Sequence, residues 1–150
     1  MILIHYGDKS FDPNKFKPIE NIGFVKPRGG LWTSPIDSNW GWKDWCHAED
    51  FRTCKIGNSF TMVLKSDSKV LKIDSLDDLK NIPFIEHFKG ISYPDFEKIS
   101  ESYDAIWLTE NGQIETRFSS PQHLYGWDCE SVLILNPESI LCFTESEKLF

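Results

Sequence analysis

The stretch that decides the fold is "ESVLILNPESI", residues 130–140. Its centre, Val132–Leu135, is a continuous apolar run, which is typical of a β-strand covered on both faces. Pro137 stops this strand because proline has no backbone N–H for the sheet, and the "SILCF" that follows predicts a final short strand. Glu130 places a carboxylate at the beginning of the buried strand.

Further strand patterns occur along the whole chain. "MILIHYG" predicts a first strand at Ile2–His5, and "GLWTS" predicts a second strand that ends at Pro35. "SFTMVLKS" alternates apolar and polar residues, and "KVLKI" predicts a strand next to it. In the last third, "YDAIWLT" and "IETRF" are predicted strands joined by a turn at Asn111–Gly112.

Short helices are predicted between these strands. One begins at Ser38 or Asn39 and runs to about Phe51, a second is "SLDDLKNI" with Ser75 as its cap, and a third begins at Pro94. Strands at both ends of the chain, with helices between them, indicate an α+β domain rather than regular βαβ winding.

Length and charge narrow the possible functions. The 150 residues predict a single domain, 1–150. With 16 basic and 23 acidic residues the net charge is −7, which argues against broad phosphate-driven binding of nucleic acid but allows a local basic site near Lys26 and Arg28. No hydrophobic stretch reaches the length of a signal peptide core or a membrane span, so neither secretion nor membrane insertion is expected.

The cysteines are spaced irregularly, at Cys46, Cys54, Cys129 and Cys142. Without a secretion signal or a CxxC pair, we expect reduced thiols, a cytoplasmic location and no structural metal. A zinc site built from Cys46, His47 and Cys54 is the alternative, although its spacing matches no common zinc pattern.

Tryptophans are concentrated in "PRGGLWTSPIDSNWGWKDWC", residues 27–46. Trp32 follows a glycine pair, and Trp40, Trp42 and Trp45 lie in a short polar run. The setting allows two interpretations: the rings pack a helix against the sheet, or some of them face a flat ligand.

Three further pieces are candidates for chemistry: His5–Tyr6–Gly7, Trp32–Thr33–Ser34 and Glu130. Each also has a purely structural interpretation. His5 would be a hydrogen-bonded core histidine, and Glu130 a solvated strand end. As a functional group, Glu130 stands out because burying a carboxylate is costly unless it is paired or used.

In chain order, these pieces resemble the ADP-ribosyltransferase superfamily, in the His–Tyr–Glu branch of diphtheria toxin and the poly(ADP-ribose) polymerases. "HYG", "GGLWTS", "SNWGWKDW" and "ESVLILNPESI" stand where that branch has its first strand, second strand, helix and glutamate strand. Tyr6 is inserted between His5 and Gly7, and tryptophan replaces the usual tyrosine. The resemblance implies a split mixed β-sheet core with short helices between the strands.

The same resemblance implies NAD as substrate and a glycosyltransferase reaction, in which ADP-ribose passes to a macromolecular acceptor (protein or nucleic acid) or to water. Breaking the nicotinamide–ribose bond builds positive charge on the ribose in an oxocarbenium-like transition state. The catalytic Glu130 would stabilise that charge.

The remaining site residues are implied in the same way. His5 would bind the adenosine ribose beside Tyr6, and the Gly7 backbone would bind the nicotinamide amide. Trp32, with Trp42 or Trp45, would sandwich the nicotinamide ring. Ser34 or Thr33 would orient Glu130.

This interpretation requires His5 and Glu130 to share a cleft, so the strands at Ile2–His5 and Ser131–Leu135 are expected to lie close together. Two other functions stay open. One is a catalytically inactive module that binds a nucleotide or ADP-ribose. The other is an acidic domain whose exposed aromatics contact a protein partner.

Overall fold

A mixed β-sheet with a few short helices forms the protein, so the fold is α+β as predicted. The computed structural model describes residues 1–148, apart from the side chain of Cys142. The helices are α1 (Trp42–Ala48), α2 (Phe96–Ser100) and α3 (Glu110–Thr116). The strands are β1 (Leu3–Tyr6), β2 (Leu31–Pro35), β3 (Ser59–Leu64), β4 (Val70–Ile73), β5 (Phe84–Phe88), β6 (Ile91–Pro94), β7 (Ala105–Leu108), β8 (Ser131–Ile134) and β9 (Ile140–Glu145).

Seven of these strands form one sheet in the order β4-β7-β8-β2-β1-β3-β9. The β4–β7 pair is parallel and the other pairs are antiparallel. β5 and β6 form a separate hairpin. The strand predicted beside β3 is β4, which lies at the far edge of the sheet. That prediction is wrong because β4 is joined in parallel to β7 instead.

The predicted burial of β8 on both faces is confirmed. Val132 and Ile134 pack with Leu3 and Phe60 on one face of the sheet. On the other face, Leu133 packs into a second cluster around Trp127, Leu124, Phe96 and Ile106. β8 thus contributes to both cores, because successive side chains of a strand point to opposite faces of the sheet.

β2 lies between β1 and β8, so the two strands that were expected to lie close together are not neighbours. β2 pairs with β8 from Leu31 to Thr33 but with β1 only at Ser34 and Pro35. Beyond that short pairing, β1 and β2 diverge. The sheet is therefore open between them on the Tyr6 side.

The predicted turn at Asn111–Gly112 and the strand after it are wrong, because α3 occupies this segment. The Thr109 hydroxyl accepts a hydrogen bond from the Gly112 N–H and begins the helix. Gly112 also lies against β4, where a Cβ atom would stand 2.1 Å from the carbonyl oxygen of Ile73. Close packing on the backbone, rather than turn formation, explains this glycine.

The first predicted helix is shorter than expected. α1 begins at Trp42 because the Asp44 carboxylate accepts the N–H of Gly41 and caps the helix there. The Ser38 hydroxyl donates to Glu130 instead.

The helix predicted from Pro94 begins at Phe96, after the cap residue Asp95. The segment after Ser75 is a 3-10 helix, Leu76–Asn81, whose cap is the predicted one. Within residues 1–148, no helix is long and apolar enough to span a membrane.

Replacing Gly112 by alanine should destabilise the fold, although alanine favours helices. The added Cβ would force α3 away from the Ile73 carbonyl, and such overpacking costs about 1–3 kcal/mol. At about 2–4 °C per kcal/mol, thermal unfolding should shift down by several degrees. Ile114→Ala, at an exposed position of the same helix, is the control and should leave the melting temperature nearly unchanged. An unchanged melting temperature for Gly112→Ala would contradict this packing.

Candidate functional site

A cavity of about 270 Å³ lies beside the opening between β1 and β2. We call it the tryptophan cavity because Trp32, Trp42 and Trp127 line it. Its other lining residues are Ile4, His5, Tyr6, Lys26, Thr33, Ser34, Arg52, Asp128, Cys129 and Ser131.

Most of the predicted cofactor-binding residues come together here: His5, Tyr6, Trp32, Thr33, Ser34 and Trp42. Among the described residues, Gly7 and Trp45 do not line the cavity. Gly7 follows β1 with a φ of +126°, and Trp45 stacks behind Trp42 with ring centroids 5.2 Å apart. The family resemblance implies no role for Lys26, Arg52, Trp127 or Asp128, although the sequence allows a local basic site near Lys26. The three of these that carry a charge all lie in loops, where no periodic pattern marks them.

His5 spans the opening between β1 and β2. Its Nδ1 lies 2.7 Å from the carbonyl oxygen of Trp32. A carbonyl only accepts hydrogen bonds, so Nδ1 carries the proton and Nε2 is the acceptor in the neutral ring. Nε2 lies 3.9 Å from the Asp8 carboxylate, too far for a direct hydrogen bond. His5 therefore offers a ligand one acceptor nitrogen in a fixed orientation.

The tryptophan walls are held by other aromatic rings and by one strong hydrogen bond. Trp32 meets Trp127 edge to face, with centroids 4.7 Å apart. The Trp127 indole N–H donates to the Val25 carbonyl over 2.6 Å. Trp42 rests on Trp45, and both contact Phe51. Rings fixed in this way present flat surfaces without further loss of side-chain entropy on binding.

Three cations and one carboxylate surround the cavity. The Lys26 ammonium lies 5.7 Å from the Trp32 ring centroid and 3.7 Å from Asp128. Arg117 contacts the second Asp128 oxygen at 3.5 Å, and Arg52 is part of the lining. The charged lining residues Lys26, Arg52 and Asp128 carry a formal charge of +1, opposite in sign to that of the chain, and Arg117 lies just outside the lining. The cavity is therefore suited to an anion that carries an aromatic ring.

Ser34 connects the cavity to Glu130, but through the backbone. Its hydroxyl donates to the Glu130 carbonyl oxygen at 2.9 Å and accepts the Trp42 N–H at 3.0 Å. The Thr33 hydroxyl donates to the Val132 carbonyl within the sheet. Of these two hydroxyls, Ser34 thus fixes the position of the Glu130 main chain, and neither one contacts the carboxylate.

The Glu130 carboxylate lies outside the tryptophan cavity. It accepts hydrogen bonds from the Ser38 hydroxyl at 2.6 Å and from the Trp107 indole at 2.9 Å. It lines a separate shallow cleft with Lys72, Asp74, Trp107, Thr109, Glu110, Asn111 and Ile114. Trp107 packs on the face of the sheet opposite Trp32. The cleft that His5 and Glu130 were expected to share is therefore not formed by the described residues.

The thiols of Cys46, Cys54 and Cys129 are free, and the prediction for Cys142 lies outside the described side chains. Burial, together with a hydrogen bond to the Cys46 thiol, raises the pKa of Cys54 to about 12. Among the residues that the structure describes, no group of three or more histidine, cysteine or acidic side chains is arranged to hold a metal ion. The alternative zinc site at Cys46, His47 and Cys54 thus has no structural support.

Comparisons with known proteins identify no relative. No protein-family model matches the chain, and no curated protein or solved structure matches it.

Cys129 predicts a specific dependence of stability on pH. Burial raises the pKa of this thiol from 9.0 to about 11, so between these values the unfolded state loses a proton that the folded state keeps. The free energy of unfolding should then fall as pH rises, by at most about 1.4 kcal/mol per pH unit from this group. Denaturant unfolding followed from about pH 8 to about pH 11, a window that includes the rise of this pKa from 9.0 to about 11, should show a shallower fall for Cys129→Ala than for the wild type. Parallel curves would contradict the assignment.

Proposed function

We propose that this protein binds NAD in the tryptophan cavity and transfers ADP-ribose from it to an acceptor. The observation that carries the proposal is the convergence of three distant segments. Residues 5–6, 32–34 and 42, for which the family resemblance implies contacts with NAD, line one cavity beside Lys26 and Arg52.

The cavity is matched to one half of the dinucleotide. Small-molecule sites usually measure roughly 300–1,000 Å³, and the cavity volume of about 270 Å³ lies just below that range. In the proposal, the nicotinamide ring lies against Trp32 and Trp42, while the pyrophosphate extends toward Lys26 and Arg52. Nε2 of His5 accepts a ribose hydroxyl, since Nδ1 donates to the Trp32 carbonyl.

The transfer step depends on Glu130. As the nicotinamide–ribose bond breaks, a carboxylate beside the ribose stabilises the developing positive charge. In the structure this carboxylate is bonded to Ser38 and Trp107, so it has to leave both partners to reach the cavity. The hydrogen bond from Ser34 to the Glu130 carbonyl holds the main chain of Glu130 beside a residue that lines the cavity.

A second candidate function is an inactive module that binds NAD or ADP-ribose without cleaving it. The position of the Glu130 carboxylate favours this candidate, because both of its oxygens already accept hydrogen bonds outside the cavity. The two candidates share the binding site and differ in turnover.

Both candidates predict that NAD stabilises the protein and quenches its tryptophan fluorescence. Ligand at a hundredfold excess over its dissociation constant adds about 2.7 kcal/mol, which should raise the melting temperature by several degrees. Trp42→Ala should weaken this effect, whereas Trp107→Phe, outside the cavity, should preserve the binding constant. NAD at millimolar concentration without quenching or a melting shift would refute both candidates.

Release of nicotinamide by the wild type separates the two candidates, and Glu130→Gln tests the role of Glu130 in that release. The change keeps the side-chain shape and removes the charge that acts in the transition state. We therefore expect release of nicotinamide from NAD to fall about 10²-fold or more, with NAD affinity close to that of the wild type.

Glu110→Gln is the matched control, because Glu110 lines the same shallow cleft as Glu130. It should leave turnover unchanged. If wild-type protein binds NAD but releases no nicotinamide, the inactive module is the correct function. Full activity of the Glu130→Gln protein would remove Glu130 from the mechanism.

A further inference from the structure

Two segments beside the tryptophan cavity contain no acidic residue, in a chain whose net charge is −7. Residues 117–127 read "RFSSPQHLYGW", and residues 21–32 read "NIGFVKPRGGLW". The hydrogen bond from the Trp127 indole to the Val25 carbonyl joins the two segments. A polyanion that approaches them meets Lys26 and Arg117, whose shared partner Asp128 neutralises only one of the two positive charges.

The first of these segments exposes aromatic rings that the fold does not need. Leu124 and Trp127 are almost fully buried and anchor the segment, and the Leu124 N–H donates to the Thr116 carbonyl. Phe118 and Tyr125 are 79% and 51% exposed. Since the anchors already fix the segment, these two rings are available for a ligand.

Arg117 connects the two rings to the cavity. Its guanidinium carbon lies 5.5 Å from the centroid of Phe118 and 5.5 Å from that of Tyr125. It also contacts Asp128, which lines the cavity. We call Arg117, Phe118 and Tyr125 the aromatic patch. It combines a cation with flat rings, and it adjoins the cavity through the contact between Arg117 and Asp128.

We propose that the aromatic patch binds single-stranded nucleic acid. Unpaired bases stack on exposed aromatic rings, and a cation beside them contacts the backbone phosphates. Duplex nucleic acid is not favoured, because its bases are already stacked and an acidic protein offers no broad basic face to its phosphates. Lys26 and Arg117 carry two positive charges against the one carboxylate of Asp128, and this net positive charge favours a polyanion over a protein partner of mixed charge.

A strand bound at the aromatic patch could also be the acceptor of ADP-ribose, a role that rests on the proposed function. The bond between the ribose C1′ and the nicotinamide nitrogen breaks, and nicotinamide leaves neutral with the bonding electron pair. A nucleophilic oxygen or nitrogen of the bound strand forms the new bond to C1′ and releases its proton to water. The continuity of the patch with the cavity would bring such a nucleophile near the ribose.

Binding can be tested without NAD, by fluorescence anisotropy of labelled oligonucleotides of about 12 nucleotides. Single-stranded DNA, single-stranded RNA and a duplex of the same length are compared. We expect a single strand to bind more tightly than the duplex. The double variant Phe118→Ala and Tyr125→Ala should weaken single-strand binding tenfold or more. Arg117→Gln should reduce the magnitude of the slope of log affinity against log salt concentration by about 1, the change expected for the loss of one phosphate contact.

Phe88→Ala is the matched control, because Phe88 is also exposed and also carries a cation over its ring, Lys89 at 5.3 Å. It should bind the oligonucleotides like the wild type. Equal affinities of the wild type and the double variant would overturn the proposal, as would a preference for the duplex or no binding of any oligonucleotide. Self-association of the wild type that the double variant abolishes would assign the patch to a second copy of the chain. Because these titrations contain no NAD, their failure is distinct from failure of the proposed function.

Discussion

The short pairing between β1 and β2 is the constraint on which the rest of the structure depends. The two strands share a register only at Leu3–Pro35 and Ile4–Ser34, and the His5 ring then bonds to the Trp32 carbonyl where the next backbone pair would follow. This divergence opens the sheet beside Trp32. A fully paired β1 and β2 would close the opening that gives the tryptophan cavity its lining from both strands.

Sequence patterns predicted the parts of the fold that depend on local chemistry. The apolar run Val132–Leu135 indicated a strand buried on both faces, and Ser75 indicated a helix cap; both predictions are confirmed. The errors occur where tertiary contacts override local preference. Asn111–Gly112 is a favoured turn pair, yet Gly112 lies inside α3 because β4 packs against it. The sequence pattern of a strand does not predict which other strand it pairs with, and the parallel β4–β7 pair and the β5–β6 hairpin are pairings of this kind.

The candidate site could be predicted in part for the same reason. His5, Trp32 and Trp42 occupy motif-like positions, and the fold brings them together. Lys26 and Asp128 enter through long-range loop packing, which spacing does not reveal. The orientation of Glu130 depends on Ser38 and Trp107, two side chains distant in sequence whose contacts only the folded chain defines. The proposed cleavage of NAD therefore requires the Glu130 carboxylate to leave Ser38 and Trp107, a step that the proposed binding does not require.

The most direct test of the central claim uses the indole N–H signals of the six tryptophans in a ¹⁵N-labelled protein titrated with NAD. If NAD enters the tryptophan cavity, the signals of Trp32, Trp42 and Trp127 should shift together with one binding constant. The Trp107 indole donates a hydrogen bond to Glu130 on the other face of the sheet, and its signal should change little when NAD first binds. Shifts confined to Trp107, or no shift at all, would contradict binding of NAD in this cavity.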